Sequence, residues 1–165
     1  MVEWLGMEIH PETPLEGMPM TRRFRPEDIE RIMEQLRSRG APFGITFADR
    51  SFLSNSSLAL QAAEFAREHN LFNPFHVALF TAYFSRGLNI GNIDVLEMIA
   101  KDAGLDVEAM KQALQNKKYL PRLAAIQKEA AVRGVTGVPT FFIGEKKSVV
   151  GAQPLDVFRN TLRSA

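Results

Sequence analysis

Apolar residues recur every three or four positions through most of this chain and form strand-like runs only near its two ends. Ile29, Ile32, Met33 and Leu36 share one face of a helix that opens at Pro26-Glu27-Asp28, where proline suits the first helical position and acid suits the first turn. Arg37, Arg39 and Gly40 close it. A second helix is predicted from Ser54 or Asn55, with Leu58, Ala62, Phe65 and Ala66 on one stripe, stopping near Asn70. Asn73-Pro74 opens a third over residues 75–86. Its Phe75, Val77, Ala78, Leu79, Phe80, Ala82, Tyr83 and Phe84 are apolar nearly all round, which predicts an interior helix. Helices over 94–103, closed by Gly104, and 107–116, capped by Asp106, follow; one over 121–133 ends at Gly134.

The strand signals lie outside this helical block. Residues 2–9 are rich in Val, Trp, Met and Ile and run into His10-Pro11-Glu12-Thr13-Pro14, which reads as a strand leaving into an extended loop. The proline-rich stretch 11–19 reads as a surface loop. Residues 140–143 and 148–150, separated by Gly144-Glu145-Lys146-Lys147, read as a hairpin. Pro154 then opens a C-terminal helix whose Leu155, Phe158 and Leu162 are predicted to be buried.

With 165 residues, 45% hydrophobic content and 12 Phe, the chain can bury a sizeable core, and a single domain is expected. A net charge of +1, with Lys and Arg dispersed, leaves no strong field for nucleic acid or an anionic membrane. No apolar stretch approaches the ~18 residues of a membrane span, and the N-terminus lacks the basic and apolar segments of a secretory signal, so the cytoplasm is the expected compartment. The cysteine count is zero, which excludes a disulfide framework and a thiolate metal site. No cofactor is expected. His10, Glu12 and His76 match no metal-ligand spacing, and His10-Pro11-Glu12 has the H-x-E form of zinc deaminases without their P-C-x-x-C. Gly134-Val135-Thr136-Gly137 has the G-x-x-G form of a nucleic-acid-clamping loop but no basic surround, and fits a helix cap and turn better. The Phe80, Tyr83, Phe84 group reads as core, and Lys146-Lys147 as a solvated turn.

The run from Gly134 to Gly144 carries the strongest functional signal. Pro139 stands directly before the β-branched, aromatic stretch Thr140-Phe141-Phe142-Ile143, an arrangement that marks a strand end facing a ligand. Together with the segment from Trp4 through the His10-Pro11-Glu12-Thr13-Pro14 loop, the helix near 55–70 and the helix around Phe75-His76 to Phe84, this run resembles the DsbA-type thioredoxin-fold family, in particular its FrnE-like branch of cytosolic dithiol-disulfide oxidoreductases and isomerases. The resemblance covers nearly the whole chain. It implies an α/β, thioredoxin-like fold with a large inserted all-helical subdomain: one DsbA-like domain over 1–165, with 1–14 and 134–165 as the sheet part and 21–133 as the insertion.

The resemblance further implies a cis Val138–Pro139 bond and a substrate-binding strand end at Val138, Pro139 and Thr140, where an extended peptide adds by backbone pairing. The family's first core strand, its C-x-x-C turn and its first helix have no counterpart in this chain. In a thioredoxin-like sheet that strand lies between residues 2–9 and 140–143, so both edges are expected to be open and to be filled by a second copy, by exchanged strands or by residues outside this sequence. Disulfide exchange requires a thiolate, and Ser or Thr hydroxyls cannot replace it. No catalytic residue is therefore assigned, and the chain alone is expected to be redox-inactive. Its expected partner is a peptide or protein thiol, with glutathione as a further candidate. The alternative readings are a glutathione-dependent relative, of the kappa-class transferase or 2-hydroxychromene-2-carboxylate isomerase type, and a non-catalytic peptide-binding or association module.

Overall fold

The computed structural model describes residues 2–144 and 147–165. The chain falls into two compact units, 1–123 and 124–165. The first holds a two-stranded antiparallel ribbon, β1 (Met18–Pro19) and β2 (Phe52–Leu53), with Met18 opposite Leu53 and Pro19 opposite Phe52. Its helices are α1 (Pro26–Gly40), α2 (Ser57–Glu68), α3 (Phe72–Phe80) running into a π-helical turn (Thr81–Ser85), α4 (Ile93–Asp102), α5 (Val107–Gln115) and the start of α6 (Leu120–Val132). The second unit holds the rest of α6, the hairpin β3 (Thr140–Ile143) and β4 (Lys147–Val150), and α7 (Leu155–Arg163).

The core of the first unit lies among α2, α3, α4 and α5, where Phe75, Leu96 and Met110 are the largest fully buried side chains. The helices start and stop as their punctuation dictates. Asn92 and Asp106 each accept a backbone N–H of the first turn, from Asp94 (2.8 Å) and Ala109 (3.0 Å). Four helices end with a left-handed residue and the paired N–H bonds of a Schellman motif: Asn70 closes α2, Gly104 α4, Lys117 α5 and Gly134 α6. Apolar Leu71, Leu105 and Val135 follow three of these caps. The α5–α6 turn is tied back to α2 by the Tyr119 hydroxyl, which donates to Glu68 (2.6 Å), and by Lys118 (2.8 Å). Burial, and then the Glu68 carboxylate, push the Tyr119 phenol well above its usual range.

The fold corrects four expectations. Residues 2–9 form no strand, because no ladder partner for them exists among the described residues, and an isolated strand leaves its amides unpaired. The stretch 11–19 is more than a surface loop: Thr13 and Gly17 are buried, and Gly17 (φ +80°) lets β1 approach β2 so closely that a Cβ would collide with the Phe52 ring. The third helix begins at Phe72 and is buried on one face only; Phe75, Leu79 and Ala82 point inward while Val77 and Phe80 are open. In α7, Leu155 and Leu162 are exposed and only Phe158 and Thr161 are half-buried, because one short hairpin offers too little surface to cover the whole apolar face. Of the predicted hairpin turn, Glu145 and Lys146 lie outside the described residues. Lys147 belongs to β4, and its ammonium donates to the Ser164 carbonyl and hydroxyl.

The open side of α3 carries Phe72, His76, Phe80 and Phe84 at four-residue spacing, with successive ring centroids 5.2, 4.3 and 5.4 Å apart. The Trp4 ring lies 5.3 Å from His76, and the Trp4 carbonyl accepts from Arg67. Burial first, and the Arg67 charge second, lower the His76 pKa below its ordinary 6.5. Folding therefore favours the neutral ring. The stabilisation is complete above the unfolded value and is lost as pH falls through the lowered folded one. A thermal melt should drop further between pH 7 and 5 for the native chain than for His76→Phe; parallel losses in the two proteins would refute a role for this ring.

Candidate functional site

The candidate site is the hairpin of the second unit and the turn that feeds it. Helix α6 ends at Gly134, whose φ of +70° no β-branched residue would adopt without strain. The Val135 N–H returns to the Ala130 carbonyl (2.9 Å), and this bond fixes the direction of the chain leaving the helix. The turn is locked by Thr140, whose hydroxyl donates to the Gly137 carbonyl (2.6 Å). The Val138–Pro139 peptide bond is cis. Val138 and Pro139 are exposed, Val138 at 47%, and Thr140 is half-buried. The three predicted site residues are therefore brought together at the start of β3.

Register decides what this strand offers a ligand. Thr140 stands opposite Val150, Phe141 opposite Val149, Phe142 opposite Ser148 and Ile143 opposite Lys147. Gly151 donates its N–H to the Pro139 carbonyl (2.7 Å), which makes that the last hydrogen-bonded pair of the ladder. Backbone groups of Phe141 and Ile143 consequently face β4. Those of Thr140 and Phe142 face the opposite edge, against which no strand lies among the described residues.

The two faces of the hairpin differ as strongly as its two edges. Phe141 and Val149 share the face covered by α7, with the Phe158 ring edge-on to Phe141 at 4.9 Å and Val149 buried. Thr140, Phe142 and Val150 share the other, where Phe142 is 42% exposed beneath the Arg133 guanidinium, 4.7 Å from its ring centroid. Glu129 orients that guanidinium from one turn earlier on α6 (2.9 Å). Sequence reasoning missed Phe142 and Arg133 as parts of the site; strand alternation counted from Thr140 places Phe142 on the open face. The other chemistry-bearing candidates remain apart. His10 pairs with Glu12 (3.5 Å), and His76 sits in the ring row of the first unit.

No helix among the described residues is long and apolar enough to cross a membrane. The family described as DSBA-like thioredoxin domain matches residues 1–163. An uncharacterized protein of Bacillus subtilis (strain 168), YwbO, is 29% identical over 166 residues, covering 98% of this chain and 80% of that protein. A probable DsbA oxidoreductase from Streptomyces coelicolor, SCO1869, superposes with a TM-score of 0.85 at 24% identity, over 94% of this chain and 70% of that one. A putative protein disulfide isomerase from Nitrosomonas europaea gives a TM-score of 0.71 at 18% identity, over 86% and 74% of the two chains. The likeness to these two solved structures is one of fold.

Proposed function

Since the chain belongs to the DSBA-like thioredoxin domain family, we propose that it holds an extended segment of a protein thiol substrate along the open edge of β3, with Val138, Pro139 and Thr140 at the contact. The observation that carries this reading is the unpaired edge itself: Thr140 and Phe142 each direct an N–H and a C=O outward beside an exposed Val138 and Phe142. Main-chain pairing supplies affinity in such strand addition, and the alternating side chains supply selectivity. The exposed Phe142 ring and the Arg133 plane favour an apolar or aromatic substrate side chain at that register.

Strand addition has a signature that side-chain binding lacks. A synthetic peptide of alternating Thr and Val with one central Cys should bind by calorimetry. N-methylating every second amide should cost about tenfold or more in one register, because two hydrogen bonds of about 1 kcal/mol each are lost, and little in the other. Equal affinity of both methylated peptides would overturn the reading. The same edge is proposed to pair with a second copy when no substrate is present. Light scattering should then show a dimer that the peptide converts to monomer; a monomer at every concentration would sink the pairing.

A further inference from the structure

The first unit carries a second surface that the strand-end reading does not use. The ring row along α3 ends, beyond Phe84, at Arg50, whose guanidinium lies over the Tyr83 ring (3.8 Å to the ring centroid) and 5.4 Å from the Phe84 centroid. The ring contact holds the guanidinium in place but leaves its N–H donors open to a ligand. Its one hydrogen bond is a long one (3.5 Å) to the Phe52 carbonyl, and no carboxylate pairs with it among the described residues. Asp49, next in sequence, is held by Arg37. Arg50 lines a cavity of about 60 Å³ together with Ser51, Ser54 and Asp49, whose carboxylate is already paired with Arg37 and leaves the Arg50 charge uncompensated. Neither hydroxyl has a partner among the described residues, and Ser54 is only 7% exposed. One uncompensated cation and two serines thus line, beside the paired Asp49, a space the size of one small anionic group.

We propose that this cavity binds a carboxylate side chain of a peptide whose neighbouring apolar side chains lie along Phe84, Phe80 and His76. With Asp49 neutralised by Arg37, the uncompensated Arg50 charge selects the carboxylate. The form of the surface selects a peptide over a fatty acid: the row is open, with Phe80 48% exposed, and lacks the enclosed tunnel that a single alkyl chain requires. From Phe72 to Phe84 the helix rises about 18 Å, the span of five or six extended residues.

The probe is the hexapeptide acetyl-Leu-Phe-Ser-Leu-Phe-Asp-amide, compared with its Asn analogue and with dodecanoate. Binding to the native chain is read by calorimetry and by fluorescence of Trp4, the single tryptophan, which sits against His76. The Asp peptide is expected to bind about tenfold or more tightly than the Asn peptide, the worth of one oriented charge-assisted pair. Arg50→Ala should remove that difference and leave the Asn peptide unchanged, while Phe80→Ala weakens both. Equal binding of the two peptides to the native chain overturns the proposal, even if Arg50→Ala fails to fold. So does dodecanoate binding tighter than the Asp peptide, or an Arg50→Ala variant that keeps the preference. Strand addition at β3 can fail its own test without affecting any of these outcomes.

Discussion

Insulin reduction by dithiothreitol should proceed at its uncatalysed rate in the presence of this chain. Exchange runs through attack of a thiolate on a disulfide sulfur and a mixed-disulfide intermediate, so a catalyst must itself present a sulfur that can be bonded and released. The sequence contains none. Thr140, the hydroxyl at the proposed contact, is committed to the Gly137 carbonyl and forms no exchangeable bond to sulfur. The same chain should nevertheless slow the reaction of a second oxidoreductase on an unfolded thiol substrate, by sequestering the extended segment on β3. Turbidity from the precipitating insulin chain reads both effects. A rate above the dithiothreitol background would overturn the expected inertness, and an unchanged rate for the second enzyme would count against sequestration.

The parts of this structure legible in the sequence are those specified locally. Helix limits follow from groups acting within one turn, such as Asn92 and Asp106 at the starts and Gly104 and Gly134 at the ends, and each predicted boundary there falls within one or two residues of the observed one. The hairpin was legible because alternation and a glycine turn coincide. What escaped depends on partners distant in sequence. A two-residue ribbon such as β1–β2 is too short for any periodicity to register. Residues 2–9 carry strand-forming side chains, yet a strand needs a neighbour, and local propensity cannot report its absence. Leu155 and Leu162 show the same limit from the other side: helical spacing identifies an apolar face but not whether anything covers it. At the candidate site, the entrance to β3 at Val138, Pro139 and Thr140 is legible through a short motif. Phe142 and Arg133 required the register, since a cation–π contact between a helix end and a strand has no sequence spacing of its own.

The largest effect on stability is expected from Phe75→Ala. Phe75 is fully buried in α3, in the cluster that also holds Phe65, Leu79, Leu96 and Met110. Its neighbours belong to helices with their own hydrogen bonds, so they can follow the lost ring only in part and a cavity remains. Such a truncation costs about 3–5 kcal/mol, against a total stability of about 5–15 kcal/mol for a domain. With an m-value of about 2 kcal/mol per M in urea, the midpoint should fall by about 1.5–2.5 M. The signal should be read from Trp4, which lies in the unit over 1–123, alongside far-UV circular dichroism for the whole chain. Phe80→Ala is the matched control on the same helix: its ring is half-exposed, so the expected cost is below about 1 kcal/mol. If the two variants lose the same stability, the core does not lie on the Phe75 side of α3. A Trp4 transition that shifts while the dichroism does so only in part would mean that the two units unfold separately.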